Sequence, residues 1–219
     1  MKKKICVIGA GLGGLSAAIR LANKGFEVDL YEQNSTSGGK AGEIKEMGYR
    51  FDTGPSLLTM PQVIKDLFSE CGENIDDYLS INRLELICKY FYPNGSIINA
   101  YSDQDKFGKE IDEKTSDNSA SLDKYLTYCK TIYELAGDLF LTKDPSSVST
   151  YLNSKALKTL LNVGKIDPFR TINEANESFF KDQRLVQLFN RYTTYNGSNP
   201  YLAPATLNII PHVEYNQGS

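Results

Sequence analysis

The first 60 residues alternate between short apolar runs and stretches rich in glycine or polar side chains. Residues 5–8 form an apolar run that leads directly into a glycine turn, and an alanine- and leucine-rich segment continues to about residue 23. A second apolar run, residues 28–31, follows and ends at an acidic residue. This pattern predicts a strand, a tight turn, a helix and a second strand, the unit from which parallel sheets are built.

The pattern changes over the next 60 residues. A helix is predicted to begin at Pro61 and stop near Gly72, because proline suits a first helical turn, apolar residues recur every three or four positions, and glycine favours a helix end. Residues 84–102 predict a β-hairpin that turns at 93–96. Residues 102–121, rich in charged and hydroxyl side chains, predict a solvated surface segment.

The rest of the chain has helical spacing. Apolar and aromatic residues recur between 122 and 140 and predict an amphipathic helix, whose apolar face we interpret as a core stripe. The alternative is that this face lines a hydrophobic tunnel or touches a bilayer. A further helix is predicted over 151–162. Thr171 and Glu174 have the spacing of a capping box, and Asp182 is expected to cap the next helix.

The glycine turn has the spacing that a dinucleotide site requires. Gly9 permits the turn, Gly11 lets the backbone approach a pyrophosphate, and Gly14 lets the helix pack closely on the strand. Leu12 opens the helix, whose unpaired N–H groups and positive dipole end face the phosphates. Glu32, at the end of the second strand, can accept hydrogen bonds from a ribose diol and disfavours the 2′-phosphate of NADP.

A secretory signal is the alternative interpretation of the N-terminus, since Lys2–Lys4 precede an apolar run. The glycines that interrupt this run, the charge at Arg20 and the complete second strand argue against it.

Composition limits the class of protein. The 219 residues suit one large or two small domains, and 41% hydrophobic and 23% charged residues are globular values. A net charge of −3 offers no electrostatic footprint for nucleic acid. No apolar run reaches the roughly 18–20 residues of a membrane span, so any membrane contact is expected to be peripheral.

The cysteines and the single histidine indicate neither a metal site nor a disulfide framework. The four cysteines contain no CxxC pair, which favours a reducing cytoplasm, and Cys6 is expected to be buried in the first strand. His212 is the single histidine of the chain. We interpret it as structural and expect no metal site.

Two further glycine segments follow Glu32. Residues 38–42 read GGKAG and include Gly39 and Lys40, and residues 51–56 read FDTGPS and include Gly54, Pro55 and Ser56. In this order the motifs resemble the amine-oxidase-type flavoprotein superfamily, although Lys40 stands where arginine is more usual. The resemblance implies that both segments line FAD and that the dinucleotide is FAD, not NAD.

Three later segments narrow the resemblance. LLTMP at 57–61, YNGSNPYLAPAT at 195–206 and IPHVEYNQG at 210–218 are similar to the phytoene desaturase family, which includes bacterial carotenoid desaturases. This resemblance implies an α/β fold: a Rossmann-like FAD/NAD(P)-binding domain of the ββα three-layer type, followed by the beginning of a mixed sheet-and-helix substrate domain. The expected domains are residues 1–83 and 84–219.

Family members are about twice as long as this chain. We therefore expect the chain to be an N-terminal part that lacks a second FAD-contacting segment, retains FAD weakly or not at all, and is inactive alone.

The resemblance implies an FAD-dependent desaturase that acts on a carotenoid-type polyene such as phytoene in carotenoid biosynthesis. In this class, hydride passes from a saturated carbon to flavin, and a proton leaves the neighbouring carbon. The implied partners are the lipophilic polyene, a membrane surface, and oxygen or a quinone as electron acceptor, with no nucleic acid. The implied location is the cytoplasm, at the inner face of the membrane. No catalytic acid or base is assigned, and Glu214 is a weak candidate.

Other functions stay open at this point. The chain could belong to another flavin oxidoreductase of the superfamily, such as a carotenoid isomerase, a retinol saturase-like enzyme or an amine oxidase. It could also be a non-catalytic FAD-binding fragment. An NAD-dependent Rossmann dehydrogenase is disfavoured by GGKAG and FDTGPS, and an amine oxidase by the later segments.

Overall fold

A computed structural model describes residues 3–55, 57–137 and 162–216. The chain divides into two compact units, Met1–Asn82 and Arg83–Ser219. This boundary lies one residue before the one proposed from the sequence. Across the described residues, no helix combines the length and apolar character that a membrane span requires.

The first unit begins with the strand–helix–strand arrangement that the hydrophobic pattern predicts. Strand β1 (Lys4–Ile8) and strand β2 (Glu27–Tyr31) pair in parallel, with Ile5 opposite Val28. Helix α1 (Leu12–Asn23) connects them and packs against both strands. The prediction for residues 5–31 is confirmed.

Strand β1 is less buried than expected. Its residues alternate between more and less exposed positions, and Val7 lies on the face that α1 covers. Cys6 is exposed, and Ile8 is 86% exposed, because side chains on a strand alternate between faces and these two lie on the other face. The prediction that Cys6 is buried is therefore wrong.

The first unit also contains a hairpin that was not predicted from the sequence. Strand β3 (Glu43–Glu46) pairs antiparallel with strand β4 (Tyr49–Asp52). Met47 and Gly48 form the turn, and both have positive φ angles, 52° and 83°, as the common two-residue hairpin turn requires.

Helix α2 (Pro61–Glu70) begins at the predicted proline, and Gly72 follows its end with a φ of 76°. Arg20 Nε of α1 donates a 2.7 Å hydrogen bond to Glu70, which ties α1 to α2. A 3-10 helix, Ile75–Asp77, follows and buries Ile75.

The second unit opens with the predicted hairpin. Strand β5 (Leu86–Phe91) pairs antiparallel with strand β6 (Ile97–Tyr101). The following segment differs from the prediction of a solvated stretch, because helix α3 (Gln104–Lys114) occupies much of it and fully buries Phe107 and Ile111. An Asp103 cap and apolar residues four apart stabilise a helix despite its many charges.

Helix α4 (Ser119–Gly137) contributes one face to the core of this unit. Its buried side chains include Leu122, Tyr125, Cys129 and Ile132, so the interpretation of this face as a core stripe is confirmed over the described residues. The ring of Tyr125 lies 4.3 Å from that of Phe189, between centroids. Leu139, Phe140 and almost all of the helix predicted over 151–162 lie outside the described residues.

Short helices complete the second unit. They are α5 (Ile172–Phe179), α6 (Gln183–Asn190) and α7 (Ile209–Asn216), with 3-10 helices at Val163–Lys165, Arg191–Asn196 and Ala205–Asn208. The predicted capping box is present: Thr171 N–H donates to Glu174 at 2.7 Å, and Glu174 N–H donates to the Thr171 hydroxyl at 3.2 Å. Asp182 caps α6, as predicted.

Asp182→Asn is expected to destabilise the second unit in a pH-dependent manner. Asp182 accepts hydrogen bonds from the Arg184 side chain and from the backbone N–H groups of Arg184 and Ser116, and these bonds, led by that of the Arg184 side chain, lower its pKa to about 2. Because the unfolded value is about 4, the carboxylate stabilises the fold above that pH, and the stabilisation is lost as the pH falls towards 2.

At pH 7 the substitution should cost about 1–2 kcal/mol, because asparagine can still cap the helix but loses the charge-assisted hydrogen bonds with Arg184. Urea unfolding between pH 7 and pH 2 should show a shallower acid dependence for Asp182→Asn than for the wild type. Asp123→Asn, which changes an exposed carboxylate on α4, should behave like the wild type. Equal acid dependence of Asp182→Asn and the wild type would contradict the prediction.

Candidate cofactor site

The turn between β1 and α1 leaves the start of the helix open to an anion. Gly9 has a φ of 96°, which favours glycine, and its N–H donates to Tyr31 O at 2.7 Å. Gly11 is the N-cap of α1, and no side chain caps this helix or places an acid in its first turn. Leu12, the first helical residue, is 61% exposed. The free N–H groups at this end can therefore bind a phosphate.

Gly14 brings the helix against the turn. A Cβ at this position would lie 1.9 Å from Gly9 O and 3.8 Å from Val7 Cγ1. No side chain larger than hydrogen fits without moving the backbone of the turn. This is the close packing of helix and strand that the sequence predicts for the third glycine of the motif.

Glu32 lies beside the same turn. Its carboxylate accepts hydrogen bonds from Ala10 N–H at 2.7 Å, Asn34 N–H at 2.9 Å and Asn34 Nδ2 at 2.8 Å. The backbone bonds from Asn34 and Ala10 lower the pKa of Glu32. A carboxylate offers about four acceptor positions, and these three hydrogen bonds leave Glu32 room for one more, from a ribose hydroxyl, while it is held in place.

The GGKAG segment contacts the glycine turn directly. Gly38 N–H donates to Ala10 O at 2.7 Å, and Gly38 pairs with Gly11 in an isolated parallel bridge. A Cβ on Gly39 would lie 3.0 Å from Gly11 Cα. The structure therefore brings together two glycine segments that are separated by α1 and β2 in the sequence. Lys40 follows and is exposed.

The FDTGPS segment packs against GGKAG. A Cβ on Gly54 would lie 2.1 Å from Lys40 O, so this position also requires close backbone contact. Pro55 is exposed, and Ser56 lies outside the described residues. The candidate site is thus one continuous set of contacts. The predicted residues that belong to it or lie directly beside it are Gly9, Gly11, Gly14, Glu32, Gly39, Lys40 and Gly54.

Sequence reasoning missed Asn34. This residue donates both its backbone N–H and its side-chain amide to Glu32. An asparagine two positions after the acid was a usable signal, because Asn side chains commonly make such short-range bonds.

The second unit contains a buried polar cluster around Glu214, which is 1% exposed. Glu214 accepts hydrogen bonds from the hydroxyls of Tyr192, at 2.7 Å, and Tyr195, and Arg191 Nη2 lies 3.4 Å away. Burial raises the pKa of the Tyr192 and Tyr195 hydroxyls, so both remain protonated donors at neutral pH. We name these residues, with their neighbours Tyr90 and Tyr215, the Glu214 cluster.

His212 is buried in the second unit. Its Nδ1 lies 2.6 Å from Asn216 Nδ2, and its ring centre lies 4.6 Å from that of Tyr133. Among the described residues, no group of three or more His, Cys, Asp or Glu side chains is arranged to hold a metal ion.

Comparison with known proteins identifies the relatives of this chain. Residues 7–71 match the family of NAD(P)-binding Rossmann-like domains. Over 217 residues, 99% of the chain, it is 38% identical to 1-hydroxycarotenoid 3,4-desaturase of Flavobacterium sp., of which it covers 44%. The chain is therefore similar in sequence to the N-terminal part of a carotenoid desaturase.

The chain is also similar to oxygenases over the same span. It is 36% identical to 4,4'-diaponeurosporene oxygenase of Staphylococcus haemolyticus and to 4,4'-diapolycopene oxygenase of Methylomonas sp., in each case over 99% of the chain and 43% of that protein. The chain thus spans less than half the length of the curated relatives that it matches.

Solved structures show the same fold. Putrescine oxidase bound to putrescine aligns with a TM-score of 0.57 and 14% identity over 95% of this chain and 41% of that one. Cyclohexylamine oxidase from Brevibacterium oxydans aligns with a TM-score of 0.51 and 18% identity over 94% and 40%. The predicted Rossmann-like α/β class is confirmed. At 14% and 18% identity these structures establish the fold alone, and FAD stays the cofactor that the motif resemblance implies.

Proposed function

We propose that the protein is an FAD-dependent desaturase that acts on a carotenoid-type polyene in carotenoid biosynthesis. The observation that carries the proposal is the 38% identity to a carotenoid desaturase over 99% of the chain. The contacts among the glycine turn, Glu32 and GGKAG support it, because they provide a place for a dinucleotide.

The residues of the candidate site fit the cofactor. We assign the pyrophosphate to Gly9, Gly11, Leu12 and the start of α1, where free N–H groups meet no acidic side chain. Glu32 would hold the ribose. Gly39 lies close to Gly11, and because neither residue has a side chain, the backbone could approach the cofactor here. Lys40 would offset the charge of the phosphates.

We also assign Gly54 and Pro55 to the site, supported by the contact between Gly54 and Lys40, and Ser56 on the sequence motif alone. When bound, FAD supplies the two-electron acceptor that removal of a hydride from a hydrocarbon requires.

The substrate, the partners and the location are further parts of the proposal. Phytoene is the proposed polyene, supported by the carotenoid names of the relatives. Residues 1–83 would bind the cofactor, and residues 84–219 would form part of the substrate domain. An insoluble substrate favours a peripheral position at the inner, cytoplasmic face of the membrane, with oxygen or a quinone accepting the electrons.

A second candidate is oxygenation of a carotenoid end. It is favoured by the 36% identity to 4,4'-diaponeurosporene oxygenase over the same 99% of the chain. The product separates the two functions by mass, since a desaturase product loses two hydrogens and an oxygenase product gains oxygen.

Glu32→Ala is expected to reduce both FAD affinity and desaturation in the longest protein that the gene expresses. The substitution removes the ribose acceptor and releases Ala10 N–H, so FAD affinity should fall roughly tenfold or more. The assay is accumulation of coloured polyenes in a phytoene-producing host, together with flavin titration of the purified protein. Glu27→Ala, an exposed acid at the other end of β2, is the matched control.

Each result has a distinct meaning. Unchanged flavin affinity of Glu32→Ala would contradict the site assignment. Tight FAD binding by the wild type with phytoene left unchanged would reject the proposed substrate and favour an oxygenase or a non-catalytic flavin-binding protein.

A further inference from the structure

Unpaired polar atoms are concentrated in the Glu214 cluster. Among the described residues, four buried side-chain atoms lack a hydrogen-bond partner: Tyr90 Oη, Asn99 Oδ1, Arg191 Nε and Tyr215 Oη. Three of these four belong to the cluster. Buried polar groups are normally paired, so a concentration of unpaired ones indicates a place where a polar group from outside the chain binds.

The unpaired groups lie close to one another on three elements. Arg191, in the 3-10 helix Arg191–Asn196, has its guanidinium carbon 5.6 Å from the ring centre of Tyr90 on β5 and 4.6 Å from that of Tyr192. Tyr215, on α7, is 1% exposed, and its ring centre lies 6.2 Å from that of Tyr192. Burial raises the pKa of Tyr90 and Tyr215, so both present neutral hydroxyls.

The carboxylate of Glu214 does not satisfy these atoms. Its oxygens accept from Tyr192, Tyr195 and Arg191 Nη2, which leaves Arg191 Nε and the other two hydroxyls unpaired. Two neutral hydroxyls and one cationic N–H match a single oxygen that accepts hydrogen bonds and can donate one. An anion is disfavoured, because Glu214 lies in the same cluster.

The cluster has an outer polar edge and an inner aromatic wall. Tyr195 is 45% exposed and the Arg191 side chain 32%, so these two residues border the surface. On the inner side, the Tyr215 ring stacks on Phe107 with centroids 5.5 Å apart, and Phe189 stacks on Tyr192 at 6.3 Å. These rings are 0–1% exposed and pack on one another, so a ligand would reach the unpaired groups from the side of Tyr195 and Arg191.

We propose that the Glu214 cluster is a binding site for the hydroxyl oxygen at one end of an oxygenated polyene. Tyr90, Arg191 and Tyr215 contact this oxygen, and Glu214 holds Tyr192 and Tyr195 around it. The inference rests on the proposed desaturase function but replaces phytoene with a hydroxylated polyene as the substrate, since a plain hydrocarbon end such as that of phytoene would leave the three groups unpaired. The same oxygen chemistry could instead come from an ordered water molecule.

The test compares two polyenes that differ by one hydroxyl: neurosporene and its terminal hydroxy derivative. Binding to the longest protein that the gene expresses is followed in detergent through the visible absorption of the polyene, and turnover is measured in parallel. The wild type should bind the hydroxy derivative roughly tenfold more tightly. Tyr215→Phe and Tyr90→Phe should each reduce this ratio, whereas Tyr201→Phe, which removes an exposed hydroxyl, should preserve it.

The outcomes distinguish this inference from the proposed function. Equal affinity of the wild type for the two polyenes overturns the inference and indicates that the cluster holds water only, even if both polyenes are desaturated. A preference that survives both phenylalanine substitutions also overturns it. A preference for the hydroxy derivative that both phenylalanine substitutions reduce supports the inference. If neither polyene is turned over in that case, only the proposed desaturase function is rejected.

Discussion

Gly14→Ala is expected to remove FAD binding and to destabilise the first unit. The new Cβ would lie 1.9 Å from Gly9 O, a distance that no carbon–oxygen contact tolerates. Either α1 moves away from β1 or the glycine turn changes shape, and both displace the N–H groups that would face the pyrophosphate. Since the obstacle is backbone and not a flexible side chain, the cost in unfolding free energy should be about 3 kcal/mol.

Gly13→Ala is the matched control, one residue earlier in the same helix. A Cβ at Gly13 meets no atom within 4 Å, and alanine is the better helix former, so this variant should be as stable as the wild type or more stable. Urea unfolding of the chain and flavin titration of the longest gene product measure the two effects. Equal stability and FAD affinity for the two variants would show that the turn can relax, and that the third glycine is not required for close packing.

The features that the sequence predicted correctly depend on neighbours a few residues apart. The strands on either side of α1 follow from apolar runs interrupted by glycine, and the capping box follows from Thr171 and Glu174 alone. The contact of Gly39 with Gly11 was expected only in the sense that both segments should approach a cofactor. Short-range chemistry was sufficient for these features, because each is determined within one turn of helix or one strand.

The features that were missed depend on tertiary structure. Charged residues dominate α3, and only the packing of Phe107 and Ile111 shows that it is a helix with a buried face. The exposure of Cys6 depends on which face of β1 is covered by α1, which an apolar run does not specify. Met47 and Gly48 form the turn of the hairpin that was missed, because methionine at a positive φ is not a recognised turn signal.

The environment of Glu214 could not be predicted for the same reason. Its partners Arg191, Tyr192 and Tyr195 lie 19 to 23 residues earlier in the chain, and Tyr90 lies on a strand of the hairpin. From the sequence, Glu214 is one acid in a short motif. Only the fold shows that it is buried and that its neighbours include unpaired hydroxyls.

Glu214→Ala should therefore have the second large effect, a loss of about 3 kcal/mol in the unfolding free energy of the second unit. The substitution leaves the Tyr192 hydroxyl buried without its acceptor and leaves Arg191, whose side chain is only 32% exposed, without its carboxylate. It also opens a cavity beneath α7. Partial exposure of Arg191 and Tyr195 limits the loss, because water can reach these two side chains.

Two variants separate the contribution of the charge from that of the volume. Glu214→Gln keeps the size and one acceptor oxygen, so it should lose about 1 kcal/mol, while Glu177→Ala, at an exposed position of α5, should change stability by less than about 0.5 kcal/mol. Urea unfolding of all three variants at pH 7 gives the comparison. If Glu214→Ala were no less stable than Glu177→Ala, the carboxylate would not be needed to hold Tyr192 and Tyr195, and any role for Glu214 would have to lie in ligand binding alone.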